Sequence, residues 1–304
     1  MKPEPFYLVG PTASGKSALA IALAEKIGGE IVNADAFQLY HGLDICTAKP
    51  SKADLERVPH HLYSVINSAE LCDAQRYCDL ARAVIAEIIG RGKTPIIVGG
   101  GGLYVKSLTH GLSPLPSHEI LRNKLTFLTD KEKIAWLLHR DSEAESNVNL
   151  QNHRHVSRAL EICLLSGQPQ SQLRRAWLQY QPHYRGVRLL WDRSLLNDRI
   201  DRRVQGMAQS GLSAEIAALG PLSATAEKAI GIRQIRAHLT GECSLAEAVA
   251  AIQLGTRQYA RRQDRWFRRE TGFRVIEIHR ETATEHLVRQ VLELFPALKC
   301  PPDQ

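Results

Sequence analysis

The chain has 304 residues, 44% of them hydrophobic and 23% charged, the make-up of a globular protein with room for one large core or a core plus a smaller appendage. No run approaches the ~18 apolar residues of a membrane span, and the N-terminal MKPEPFYLVGPTASGKS lacks the apolar stretch and cleavage site of a secretory leader. Residues 1–117 hold 11 basic and 11 acidic side chains and residues 118–304 hold 28 and 21, so the net charge of +7 sits wholly in the later part and points to a polyanionic partner there.

Phe6–Val9 reads as a short buried strand, and Ser17–Ile27 as a helix stopped by Gly28-Gly29. Ile31–Val32 opens a second strand leading into NADAFQLY. Cys72–Gly90 has amphipathic helical spacing, and Thr94–Val98 is a third strand that runs into four glycines, Gly99–Gly102. Strands alternating with helices predict a parallel α/β sheet with its site at the carboxyl ends of the strands. GLSPLPSHE reads as a linker, and from Ile120 to about Gln179 the pattern is helical only, rich in Arg, His and Gln. Val187–Trp191 is a return strand, helices follow to about Glu270, and Phe273–Ile278 is a last strand before a C-terminal helix. The expected fold is a P-loop α/β core, its parallel sheet flanked by helices, with an inserted all-helical subdomain. Its expected parts are residues 1–117 (core), 118–182 (insert) and 183–304 (core, mainly helical).

The six cysteines, Cys46, Cys72, Cys78, Cys163, Cys243 and Cys300, form no Cys-x-x-Cys pair. Neither a zinc site nor a disulfide framework is indicated, and a reducing cytoplasm is expected. His60 and His61 are adjacent and cannot easily share one metal ion, so they read as structural.

GPTASGKS (Gly10–Ser17) matches G-x-x-x-x-G-K-[ST] in full, between a strand and a helix as the motif requires. Such a loop turns its amides inward beside a helix N-terminus. Lys16 can reach terminal phosphates and the Ser17 hydroxyl can ligate Mg²⁺. An NTPase usually has a further apolar strand ending in Asp to help hold the metal. Here TPIIV ends in glycines, and the nearest acid at a strand end is Asp35. It could assist a metal, act as a general base, or simply cap the next turn. The four glycines are no dinucleotide fingerprint, because Tyr104 stands where the third glycine would fall. They allow a close approach to the backbone beside the Asp35 strand.

In order and spacing these motifs resemble the tRNA dimethylallyltransferases, or tRNA isopentenyltransferases, of bacterial type, from about Gly10 to Arg268. The fragments are GPTASGKS; NADAFQLY, like S-x-D-S-x-Q-x-Y; LDICTAKP, like M-D-I-G-T-A-K-P; and PHHL. They continue with VGGGGLYVKSLTHGL, RHVSRALEI, AIGIRQI and RQYARRQDRWFRR. The resemblance implies transfer of a five-carbon prenyl group from dimethylallyl diphosphate to N6 of an adenosine beside the tRNA anticodon. It implies that Gly10, Thr12, Ala13, Ser14, Gly15, Lys16 and Ser17 bind diphosphate, with Mg²⁺ near Ser17. Asp35 would be the general base and Arg233 a group at the reaction site. Asp35, Ala36, Phe37 and Gln38 would line the flipped adenine, and Arg122, Arg154 and Arg158 would grip the anticodon stem-loop. A monomer without a membrane partner is expected. The face Arg257, Arg261, Arg265 and Arg268 could meet RNA, meet diphosphate or pack.

Three places depart from the family pattern. Cys46 replaces a usual Gly, NSAELCDAQRYC has lost its usual character, and Gly101 stands where a Thr contacts the substrate adenine. Losing that hydroxyl removes one hydrogen bond of ~0.5–1.5 kcal/mol. The rival readings are a small-molecule or nucleotide kinase, a transferase prenylating free adenine nucleotide, and a silent RNA-binding relative. The first two give no reason for an insert of this size and charge.

Overall fold

The computed structural model describes residues 3–111, 116–178, 183–280 and 282–298. The expected linker GLSPLPSHE overlaps residues 112–115 and the expected helical stretch ends at Gln179; those positions, with Cys300, lie outside the described residues. The chain folds as two compact units, Met1–Thr109 with His183–Gln304, and His110–Pro182.

The first unit is built in chain order from β1 (Phe6–Val9), α1 (Lys16–Ile27), β2 (Glu30–Asn33), α2 (Lys52–Arg57), β3 (His60–His61), α3 (Ala74–Gly90), β4 (Pro95–Gly99) and α4 (Gly102–Thr109). The second unit carries α5 (Glu119–Leu125), α6 (Asp130–Arg140), α7 (Ala144–Asn147), α8 (His153–Ser166) and α9 (Gln170–Leu178). The chain then returns to the first with β5 (Arg185–Trp191), α10 (Arg193–Gln209), α11 (Leu212–Ala217), α12 (Ile232–Leu239), α13 (Leu245–Phe267), β6 (Arg274–Ile278) and α14 (Thr284–Leu294).

Six parallel strands lie in the order β3-β2-β4-β1-β5-β6. The period of two along β1 sends Phe6 and Leu8 to one core, with Leu19 and Leu23 of α1 and Val288 and Val291 of α14. Tyr7 and Val9 enter the other core, with side chains of α3, α10, α12 and α13. Both faces are covered, which is why the strands read as continuous apolar runs rather than alternating ones. His60 and His61 form the edge strand: His61 Nε2 pairs with Glu30 Oε2 at 2.7 Å, and His60 Nδ1 meets the Val58 carbonyl at 2.8 Å.

The helical unit has its own core of Leu125, Leu137, Ala144, Val156, Ala159, Leu160 and Cys163. Its ends are capped by side chains the sequence supplies: Thr129 and Glu132 form a capping box on α6, and Asn152 accepts from the Arg154 and His155 amides at the start of α8.

Candidate active site

The carboxyl ends of β1, β2 and β4 converge with α10 and α13 on one cavity of about 380 Å³. Thr12 to Ser17, Asp35, Gln38, Gly99, Gly100, Arg199, Arg202, Arg203 and Gln263 all contribute to its wall.

The loop after β1 needs two glycines for its path, Gly10 at φ 152° and Gly15 at φ 88°, and Ala13 also takes a left-handed φ of 63°. The amides of Ala13, Gly15, Lys16 and Ser17 donate to no acceptor among the described residues. With the N-terminus of α1 behind them they form an anion-binding nest. The Ser14 hydroxyl is buried in the same loop and makes no hydrogen bond to the described residues. Thr12 is different, because its amide is committed to Gln263 Oε1 at 2.8 Å and its hydroxyl accepts from Arg203 Nη1 at 3.2 Å.

The back of the loop is held from α10 and β5. Arg199 Nε donates to the Ala13 carbonyl at 2.9 Å, Trp191 Nε1 donates to the Ser14 carbonyl at 2.9 Å, and the Arg199 guanidinium lies 4.5 Å over the Trp191 ring. Lys16 Nζ donates to the Pro11 carbonyl at 2.7 Å. Burial pushes the Lys16 ammonium down to about 7, against the pull of Asp35 and with the push of Arg203. Burial likewise lowers Arg203, and Asp35 opposes it. A polyanion entering here gives both cations a partner and favours their charged forms.

Asp35 sits just past β2, where the strand ends in a built turn. The buried Asn33 side chain accepts the Asp35 amide at 2.8 Å and donates to the Leu62 carbonyl at 2.9 Å, while Tyr77 Oη donates to the Asn33 carbonyl at 3.1 Å. The Phe37 amide donates to Asp35 Oδ1 at 3.0 Å, an Asx turn that fixes the carboxylate. The Oδ2 atom accepts no hydrogen bond from the described residues. Gln38 lines the same cavity, but its amide nitrogen holds the next loop through the Thr47 and Ala48 carbonyls, at 2.9 and 3.1 Å.

A narrower chamber of about 60 Å³ opens beside Asp35, sharing Thr12, Thr47 and Arg203 with the first. Apart from these and Tyr259 its wall is mostly apolar, with Phe37, Ile200, Val204, Met207 and Ile252.

The glycine run is only briefly a loop: Gly99 ends β4 and Gly102 starts α4. None of the four glycines has a positive φ. What three of them lack is space. A Cβ on Gly99 would lie 2.3 Å from the Ala34 carbonyl oxygen, on Gly100 2.1 Å from Gln263 Nε2, and on Gly102 2.4 Å from the Trp266 ring. Gly101 is the roomiest, with the Ala34 oxygen at 3.0 Å.

The cavity thus brings together the expected Thr12 to Ser17, Asp35 and Gln38, while Phe37 faces the side chamber. Arg233 lies on α12, exposed, and lines neither space; Ala36 and Gly101 line neither as well. Arg199, Arg202, Arg203 and Gln263 are the members that sequence reasoning missed. The signal was present in RIDRR, whose arginines at i, i+3 and i+4 share one helix face.

In the helical unit Arg154 is exposed at the start of α8, and Arg122 is exposed on α5. Arg158 is tied down, donating to Glu161 Oε2 at 2.6 Å and to the Pro116 carbonyl at 2.9 Å. The fully buried Glu161 also accepts the His118 amide at 2.8 Å and lies 3.6 Å from Arg122. A buried carboxylate needs such partners, so the expected RNA-gripping Arg158 has a structural duty as well.

The family model described as IPP transferase matches residues 38–270. A tRNA dimethylallyltransferase of Akkermansia muciniphila is 41% identical over 288 residues, covering 94% of this chain and 98% of the relative. That of Geobacter metallireducens is 43% identical, with 86% and 88% covered. The crystal structure of a full-length tRNA isopentenylpyrophosphate transferase from Bacillus halodurans superposes with a TM-score of 0.72 at 30% identity, covering 98% of this chain and 97% of that one. A eukaryotic dimethylallyltransferase acting on tRNA shares the fold at a TM-score of 0.81 and 23% identity. A loop of unpaired amides sharing a cavity with a strand-end carboxylate, with no acid at the end of β4, accords with these likenesses: the chain belongs to the tRNA dimethylallyltransferase family.

Proposed function

We infer that this protein transfers the dimethylallyl group of dimethylallyl diphosphate to N6 of adenosine 37 in the anticodon loop of tRNA, releasing diphosphate. The observation that carries the reading is the shared cavity, in which an anion nest lined by four cations stands opposite a carboxylate whose Oδ2 is unpartnered. A γ-phosphate-transferring enzyme would call for an acid at the end of β4, where this chain has Gly99.

Ala13, Gly15, Lys16 and Ser17 would bind the diphosphate through their amides, and Lys16, Arg199, Arg202 and Arg203 would balance its charge. The described residues contain no group of three His, Cys, Asp or Glu side chains able to hold a metal. A single hydroxyl ligand at Ser17 suits Mg²⁺, which takes most of its ligands from phosphate oxygens and water. Bound there, Mg²⁺ would add positive charge beside the leaving diphosphate.

The side chamber would seat the prenyl tail. The mostly apolar wall suits a short hydrocarbon tail better than an adenine with its ring nitrogens and amine. The adenine would approach over Gly99 and Gly100 with its N6 toward Asp35, which requires it to leave the stack. The C1–O bond of the donor breaks, the N6–C1 bond forms, and one N6 proton passes to Asp35. Lending a proton acceptor to a delocalised, weakly nucleophilic amine contributes roughly 10²–10⁴-fold. Lys16 and the loop amides stabilise the charge growing on the departing oxygen. The exposed Arg122 and Arg154 of the helical unit would grip the anticodon stem-loop, with Arg158 supporting that surface. A tRNA substrate accords with a cytoplasmic location.

The test supplies radiolabelled dimethylallyl diphosphate with unmodified tRNA or with AMP. Label should enter tRNA carrying adenosine 37 and not tRNA with that base replaced, and Asp35→Ala should still bind tRNA while turnover falls at least 10²-fold. Label in AMP alone, or in neither, overturns the reading. Full turnover in Asp35→Ala removes the base assignment.

A further inference from the structure

The helical unit holds a cavity of its own, about 280 Å³, walled by α7, α8 and α9 with the turn after α7. Ala159 and Ile162, each 3% exposed, and the half-buried Val148 supply its apolar wall. The exposed His155 and Arg174 supply hydrogen-bond donors, and Arg174 Nη1 is steadied by the Asn147 carbonyl at 3.0 Å. Among the described residues no acidic side chain lines the space. Gln170, the first residue of α9, belongs to neither group. It is 9% exposed, and its side-chain oxygen is buried without a hydrogen bond to the described residues. Its backbone is not free to carry it elsewhere. The Gln170 amide donates to Cys163 Sγ at 3.3 Å, and the buried Asp141 accepts the Ser171 amide at 2.8 Å and the Ser171 hydroxyl at 2.7 Å. An orphaned buried amide costs the fold stability that a leucine of similar volume, among the same apolar neighbours, would not.

We propose that this cavity binds one nucleotide of the tRNA other than adenosine 37, its base against the apolar wall and an N–H of its edge donated to Gln170. The proposal rests on the reading of tRNA as the acceptor. Proteins read single-stranded RNA loops by splaying bases out of the stack and hydrogen-bonding their edges, and each of the four bases carries an amine or imino donor for the orphaned oxygen. The ligand's negative charge is met by Arg174, whose acceptor in the protein is a neutral carbonyl that leaves its charge unbalanced. Arg158 lines the same wall with its charge already answered by Glu161.

The experiment measures KM for unmodified tRNA, KM for dimethylallyl diphosphate and Tm in the full-length protein, Gln170→Leu and Arg174→Ala. Gln170→Leu removes the acceptor and keeps the volume, so KM for tRNA should rise about 2–10-fold, the factor of one neutral hydrogen bond. Tm should hold or rise, and KM for the donor should stay within twofold. Arg174→Ala, a change at an exposed residue, should raise KM for tRNA and flatten its salt dependence. Repeating the series on tRNAs made abasic at one anticodon-loop position at a time identifies the nucleotide: at one position other than 37 the Gln170→Leu penalty should disappear. An unchanged KM for tRNA in either variant, or a penalty that persists on every abasic tRNA, overturns the proposal. A lowered Tm with both KM values raised would assign Gln170 to the fold alone and overturn it too. Inhibition by AMP that Gln170→Leu abolishes would give the cavity to a free nucleotide instead. Failure of the unsubstituted protein to prenylate tRNA would overturn the function on which the proposal rests.

Discussion

Two glycine-rich segments end neighbouring strands of this sheet, and they use glycine for opposite reasons. In Gly10–Ser17 the glycines supply backbone angles: Gly10 and Gly15 lie at positive φ, and a Cβ on Gly15 would meet nothing nearer than Arg199 Nη2 at 3.8 Å. In Gly99–Gly102 the angles are ordinary and the glycines supply room for Ala34, Gln263 and Trp266. The first run is shaped to surround something small and negative. The second is shaped by the protein's own neighbouring atoms, main chain at Gly99 and side chains at Gly100 and Gly102, and Gly101 is the least crowded of the four. A string of glycines after a strand is therefore no evidence of a ligand until it is known whether angle or volume demands them.

Substitution by alanine should separate the two cases. A large effect on the fold is expected at Gly100, where a methyl would displace the buried Gln263 and meet the Gly10 carbonyl oxygen at 2.9 Å. Overpacking of this kind costs on the order of 1–3 kcal/mol, read as a lowered Tm, and the added Gln263→Ala should recover part of it. At Gly15 the loss should appear more in the donor than in the fold. Alanine in a left-handed conformation costs about 1–2 kcal/mol. The part-exposed loop relaxes from the strained geometry in the free protein and must regain it to hold donor. KM for dimethylallyl diphosphate should therefore rise roughly 5–30-fold, the factor that energy implies, with a smaller fall in Tm than at Gly100. A Tm loss at Gly15 as large as at Gly100 would erase the distinction. Smallest, and of opposite sign, is Gly101→Thr. Its Cβ needs the Ala34 oxygen to give by a few tenths of an ångström, and a restored hydroxyl is worth ~0.5–1.5 kcal/mol. Turnover on tRNA should rise about 2–10-fold, and a fall would mean that this chain holds its adenine by other contacts.

The sheet, the phosphate loop and Asp35 were legible in the sequence because each is a local matter of apolar runs, a spaced motif and an acid at a strand end. Strand limits moved by one or two residues, as at Pro95–Gly99, where the fifth residue still pairs with Val9. Arg199, Arg203 and Gln263 were not legible as site residues. They lie far along the chain from Thr12, and only the pairing of β5 beside β1, with Val9 opposite Arg188, delivers α10 to the loop. Arg233 and Arg158 show the converse limit. A motif gives a residue's identity and not its surroundings, so it could not foresee that Arg233 would be exposed or that Arg158 would be bound to a buried Glu161.

The same delivery has a consequence for portability. The whole phosphate motif is spelled within the first seventeen residues, yet among the described residues each side chain from outside the motif that hydrogen-bonds to it comes from beyond residue 190: Trp191, Arg199, Arg203 and Gln263. Its strand, β1, is sandwiched between β4 and β5. An N-terminal piece carrying the motif, Asp35 and the four glycines would own the recipe without the vessel. Transplanting this loop into another scaffold would require carrying over a helix face and a buried amide written in a different part of the chain.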